Sequence, residues 1–294
     1  MTEVLAAIGA AMLGIVIGAI INALSDDLPH RNKLRLPHYP NGVPRPMLAW
    51  SGLMAFLTGL REGPSIQLSE EEEKSRDLSL SEIASLAYDT KLSWRYPLVE
   101  IGMALLLAFV VIYPFEEPRI VVWIVFLSIL MLITVIDLEH RLILFVVIIP
   151  AVIVTFILNL ALPEVTEDGE RPIMEFVYGA LVGGGIFYIL YLGGMVFVRI
   201  LAMLRGHYIQ EVAFGFGDVM LAFLCGLMIG WRAMTIAIFI TVFVGAAGAI
   251  LYMIYRAVRG RRYAMYTALP YGPYIVIGTV ILMLFADEVR EFFQ

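Results

Sequence analysis

Gly215-Phe216-Gly217-Asp218-Val219-Met220-Leu221-Ala222-Phe223-Leu224-Cys225-Gly226-Leu227-Met228-Ile229-Gly230-Trp231 sets one carboxyl at the head of an apolar run that meets no further charge before Trp231. In hydrocarbon an ionisable side chain costs at least about 2.5 to 3.5 kcal/mol, so an acid kept there needs water or a partner. Gly215 and Gly217 supply the means. Without Cβ they let the backbone unwind or approach a neighbour closely, which a membrane tolerates only where the chain lines a cavity. If the span begins at Val212, Asp218 lies about 9 Å inside its boundary. A buried acid in Gly-rich backbone implies a wet site within a bilayer.

The rest of the chain supports a membrane setting. Of 294 residues, 61% are apolar and 16% charged, against roughly 45 to 50% and about 25% in soluble domains. A soluble globular enzyme is excluded on that ground. A net charge of −6 without a basic stripe argues against nucleic-acid binding. The single cysteine, Cys225, permits no intrachain disulfide and no cysteine-built zinc site. No metal or cofactor is expected.

Apolar runs near the length that spans about 30 Å of hydrocarbon cover Val4 to Leu24, Pro97 to Phe115, Arg119 to Ile136, Leu142 to Leu162, Ile173 to Leu204, Val212 to Trp231, Ala233 to Tyr255 and Tyr271 to Ala286. They predict an all-α polytopic membrane protein of about eight transmembrane helices. The sixth run is cleanly apolar only from Val219 to Gly230, so it either starts before the glycines or is a half-helix. With the N-terminus outside, sixteen of the twenty Lys and Arg residues fall in loops on the cytoplasmic side, the asymmetry the positive-inside rule requires. The division is residues 1–24, a first transmembrane helix; 25–96, a cytoplasmic loop region; and 97–294, a seven-helix membrane catalytic region. Within the loop, Ser79 and Glu82 fit a helix capping box, and the run Glu70 to Glu73 reads as a solvated face or as a surface for a basic partner segment.

Three further acids stand at or within the spans. Glu175 lies near Arg171 and reads as interfacial. Glu100, one turn into the second span, either anchors structure through Arg95 or has a positioning role. Asp137 closes the third span on the same side as Asp218, so the two acids can meet; alone, it reads equally well as an interfacial cap beside His140 and Arg141. The use of such a pair is aspartic-protease chemistry, in which two carboxyls share one proton and hold a water between them. Helix ends favour the anion at Asp218, near a helix start, and the neutral acid at Asp137.

These segments resemble a known family, the prepilin peptidases, membrane aspartic proteases with a Gly-x-Gly-Asp signature. Gly215 to Trp231 looks like its second-aspartate motif and "IDLEHRLI" (Ile136 to Ile143) like its first. In order along the chain, "GAIINALSDDLP" (Gly18 to Pro29), "LSWRYPLVE" (Leu92 to Glu100) and "LPYGPYIVIG" (Leu269 to Gly278) are similar to three more of its segments. The resemblance implies a catalytic pair of Asp137 and Asp218, in the inner membrane of a prokaryote and open to the cytoplasm. It also implies partners: prepilin or pseudopilin precursors whose short basic leader is cut where an apolar helix begins. Gly215, Gly217, Glu100, Tyr271, Gly272 and Pro273 are the residues placed at substrate binding or positioning, although the last three read equally well as the start of the eighth span. No oligomeric state follows.

Several positions depart from the family pattern. Leu144 and Phe145 stand where Pro and then Asp or Asn are common, Met220 where Lys is common, Asp27 where Arg is usual, and a frequent acid is shifted to Glu211. The first loop lacks the paired cysteines that bind zinc in some members, and no Gly-rich nucleotide loop supports methyl transfer. Two rival readings are an intramembrane protease of the presenilin or signal-peptide-peptidase type and an ion-coupled transporter. The first expects Tyr where Ile136 precedes Asp137, and the second expects midplane acids and an inverted repeat. A scaffold without catalysis is a third.

Overall fold

A computed structural model describes residues 2–30, 34–64, 90–112, 117–166, 169–205, 215–258 and 270–285. The expected capping box at Ser79, the acidic run from Glu70 and the displaced acid Glu211 lie outside them. Among the described residues the architecture is helical: α1 (Thr2–Asp27), α2 (Gly52–Leu57), α3 (Arg95–Ile112), α4 (Glu117–His140), α5 (Phe145–Ala161), α6 (Ile173–Arg205), α7 (Phe216–Ile229), α8 (Trp231–Val258) and α9 (Gly272–Leu284). The exception is a small antiparallel ladder between Val165–Thr166 and Gly169–Glu170.

Each of the eight apolar runs coincides with a helix, but among the described residues only five helices, α1, α3, α4, α6 and α8, are long and apolar enough to cross a membrane. The other three, α5, α7 and α9, have 17, 14 and 13 residues. At 1.5 Å per residue α7 reaches about 21 Å and α9 about 20 Å, short of the hydrocarbon thickness. Hydropathy registers apolar side chains whatever their backbone does, so it extends a short helix into its non-helical flanks. The half-helix reading of the sixth run is the one the structure matches.

The chain forms two compact units, Met1–Glu116 and Glu117–Gln294. In the first, α1 and α3 run antiparallel in close contact. A Cβ on Gly14 would strike the backbone of Ala104, and one on Gly18 the backbone of Glu100; small residues four apart allow this approach. One turn further, Asn22 Nδ2 donates to the Tyr96 carbonyl (3.0 Å). Beyond it Asp26 pairs with Arg95, accepts from the Tyr96 hydroxyl and faces Arg45 at 3.5 Å. Arg95 therefore serves Asp26, not Glu100. Asp27 is buried, and its carboxylate accepts from the Arg35 backbone N–H (2.7 Å). Tyr39, Ala49, Ala55, Leu92 and Tyr96 form the small core beneath α2.

In the second unit α7 is central. It runs antiparallel to α6 with backbone against backbone, because a Cβ on Gly226 would collide with the Gly179 carbonyl and one on Gly183 with that of Ala222. Alongside α7 lies α5, parallel to it: Phe145 meets Phe216 at one end, and at the other Asn159 Nδ2 donates to the Leu227 carbonyl (2.8 Å). An ionic cluster closes this second end. Glu164 Oε2 takes Arg119 Nη2 and Arg171 Nη1, each at 2.9 Å, and Arg171 Nη2 also reaches Glu175 at 2.9 Å, the neighbour expected from the sequence. The opposite end carries Asp137 and Asp218.

Candidate active site

Three helix ends bring the polar residues of the second unit together. Asp137 sits within the last turn of α4, where its carbonyl accepts from the Arg141 N–H (2.8 Å) and Arg141 turns the chain with φ of 53°. Asp218 occupies the first turn of α7, after Gly215 at the N-cap, and its Oδ2 accepts from the Gly215 N–H (3.2 Å). The third end is that of α9, capped by Tyr271 and begun by Gly272 and Pro273. Proline suits a first turn, whose N–H groups have no intrahelical acceptor.

These ends are in register with one another. The backbone N–H of Gly272 faces the Asp137 carboxylate, and the approach is so close that any Cβ on Gly272 would run into Asp137 Oδ2. Asp218 lies within electrostatic range of both Asp137 and the Tyr271 hydroxyl. Gly217 allows a similar approach, since its Cβ would stand 2.8 Å from Cβ of Ile143. Thus Asp137, Asp218, Gly215, Gly217, Tyr271, Gly272 and Pro273 gather at one end of the second unit.

Asp137 is 4% exposed, whereas Asp218 is only half-buried. Asp137 Oδ2 is buried without a hydrogen-bond partner among the described residues. A buried oxygen left unsatisfied needs an explanation, because desolvation costs about 1 to 3 kcal/mol and more for a charged group. An acid that accepts or donates a proton during a reaction is such an explanation. The two acids stand at adjoining helix ends within electrostatic range of each other.

Glu100 is in a different setting, in the first unit. It is fully buried, and its carboxylate accepts from Ser51 Oγ (2.6 Å), the Gly52 N–H (2.6 Å) and the Leu53 N–H (2.9 Å), with Asn22 Nδ2 at 3.4 Å. These are the free N–H groups at the start of α2. Glu100 therefore caps a short helix from another helix, a role in which a negative charge is favoured.

Aromatic rings surround the head of α7. Phe216 lies 6.2 Å from Phe145 and 5.7 Å from Tyr191 between ring centroids, and Tyr271 lies 6.2 Å from Phe187. Sequence reasoning missed Phe187, Tyr191 and Ile143. Aromatic and branched residues inside long apolar runs look alike until the helices are assembled. The departure Phe145 could have drawn attention, since it replaces a polar residue beside the first aspartate.

Residues 124–250 match the model of the type IV leader peptidase family, a stretch that includes both aspartates. The prepilin leader peptidase/N-methyltransferase of Pseudomonas putida is 27% identical over 199 residues, covering 68% of this chain and 62% of that protein. The match thus spans about three fifths of the relative's length. No solved structure matches this chain.

Proposed function

We propose that this relative of the type IV leader peptidases is an aspartic endopeptidase of the cytoplasmic membrane, in which Asp137 and Asp218 remove the basic leader of prepilin or pseudopilin precursors. The observation that carries this reading is the convergence of the two acids from separate helix ends, with the Asp137 oxygen unsatisfied and the Gly272 backbone pressed against it. The dyad acts as a unit. As the base, Asp218 takes a proton from a water held between the acids, and the water oxygen attacks the scissile carbonyl carbon. Asp137 gives its proton to the carbonyl oxygen. Collapse of the tetrahedral intermediate breaks the C–N bond and returns a proton to the departing amine. Gly215, exposed at the N-cap of α7, leaves room beside Asp218 for an extended substrate backbone, Gly217 lets α7 close on Ile143, and Tyr271 flanks the site.

With an external N-terminus, the acids face the side that holds sixteen of twenty cationic residues, the cytoplasmic side by the positive-inside rule. A basic leader that stays in the cytoplasm reaches the acids there without crossing the bilayer. The first loop region, residues 25–96, lies on this side, and residues 97–294 form the catalytic region.

Coexpression with a prepilin-like precursor tests the assignment. Wild type is expected to convert the precursor to the shorter product on a gel, while Asp137→Asn and Asp218→Asn each leave it intact at equal protein levels. Cleavage retained by either variant removes that residue from the dyad, and absence of cleavage by wild type overturns the peptidase reading.

A further inference from the structure

The turn that closes α4 beside Asp137 breaks a local rule. Among the described residues Arg141 is the one residue other than glycine with a positive φ, 53°. It stands at a helix C-terminus, where glycine or asparagine is the usual occupant because a Cβ is strained there. The backbone is tied down all the same: the Arg141 N–H donates to the Asp137 carbonyl (2.8 Å), and three residues later Leu144 caps α5. No local contact of the side chain offsets the strain. Arg141 is exposed, and among the described residues its guanidinium has no hydrogen bond or ion pair. A strained residue that its own contacts do not explain points to function. The group that its charge does reach is the Asp137 carboxyl.

We propose that Arg141 is a positioning residue for the dyad: its cation, held at the end of α4, lets Asp137 and Asp218 together carry the single negative charge that the base step needs. The proposal rests on the peptidase reading and adds a residue to it. The pair stands where negative charge is poorly tolerated. Asp137 is buried with Oδ2 unpartnered, Asp218 is a second acid beside it, and the carbonyls at the end of α4 turn their negative ends its way. A nearby cation opposes all three effects. Among the described residues no other group around the pair can do so steadily. On α4, Glu139 has the wrong sign, and His140 has Glu139 at 3.9 Å and loses its charge near neutral pH. On α9 and α6, Tyr271 and Tyr191 are neutral phenols there. In α5 there is no titratable residue, and α8 meets Tyr271 through Gly245. A guanidinium stays charged across the whole range in which carboxyls titrate.

The pH profile of cleavage tests the role, with kcat/KM of purified protein on a precursor with a basic leader measured from about pH 4 to pH 9. Arg141→Asn removes the cation and eases the backbone, because asparagine takes the left-handed conformation more readily. Arg141→Gly does the same by another route, and Arg141→Lys keeps the charge. The acid limb marks the pH at which the dyad gains its negative charge, and a carboxyl that loses a neighbouring cation gains it only at higher pH. Both neutral variants are therefore expected to have their acid limb about 0.5 to 1 pH unit above that of wild type, so that rates on the limb fall about three- to tenfold. Their thermal stability is expected to be equal or higher. Arg141→Lys is expected to keep the wild-type limb, and Arg199→Gln, which removes an exposed cation from α6, to leave it unmoved. A merely structural role predicts the opposite, lower stability and an unmoved profile. If wild type cleaves but the neutral variants share its limb, or Arg141→Lys shifts as far as they do, the charge has no part and the peptidase reading stands without it. If wild type cleaves nothing at any pH, the peptidase reading fails and this role with it.

Discussion

The Asp137 carboxyl has a backbone at its edge. Because the first atom a methyl on Gly272 would meet is Oδ2 of Asp137, the far end of a side chain, the collision is relieved by moving the acid and not the helix. Gly272→Ala is therefore expected to keep expression and thermal stability near wild type but to lower the rate of leader removal on the order of a hundredfold, the scale of an ångström's displacement of a reacting group. Gly185→Ala, on α6 with nothing within 4 Å of its Cβ, is expected to cleave at the wild-type rate. Equal activities of the two variants, measured on purified protein, would show that the close contact has no catalytic consequence. The sequence signals a special site at Asp218 because the acid stands in an apolar run. It leaves Gly272 ambiguous, since the resemblance places it beside the substrate while a glycine before a proline reads equally well as an ordinary helix start.

At the scale of elements, the same sequence feature has two different outcomes. Asp218 and Glu100 are both acids one turn into apolar runs. Asp218 reaches its own cap at Gly215 and faces the Asp137 side of the unit, whereas Glu100 reaches the start of α2, far along the chain. Removing Glu100 leaves Ser51 Oγ and two backbone N–H groups of α2 without their acceptor. At about 1.5 to 3 kcal/mol for a hydrogen bond to a charged group, Glu100→Ala is expected to detach α2 and make residues 34–64 more sensitive to limited proteolysis, by tenfold or more in rate. Glu100→Gln keeps one acceptor oxygen and is expected to fall between. Wild-type protease resistance in Glu100→Ala would show that α2 is held by the apolar cluster of its Ala55 with Leu92 and Tyr96 alone. Between α6 and α7, glycines at 179, 183 and 226 replace side-chain packing by backbone contact, which fixes the head of α7 relative to its neighbours.

For the molecule as a whole, the charge asymmetry predicts orientation. With single cysteines labelled by a membrane-impermeant maleimide in intact cells, Thr2→Cys and Arg232→Cys, in the first turn of α8, are expected to react from outside. A cysteine at Arg61, beyond α2, is expected to react only after the cytoplasmic side is opened. The reverse pattern would overturn the topology and place the acids on the outer face. The number of complete crossings belongs to this scale too, because three of the described apolar helices, α5, α7 and α9, are shorter than the length that crosses a bilayer.

Composition, run length and the isolated acids determined that the chain is a helical membrane protein and that Asp137 and Asp218 stand out, because the bilayer penalises charge whatever the fold. The order of the helices was equally legible, since each apolar run became one. Only the tertiary structure decided the rest. Where α7 begins, which acceptor satisfies the α2 N–H groups, and that Gly272 abuts Asp137 all depend on contacts between segments distant in sequence, and an apolar run carries no record of which neighbour each of its faces will meet.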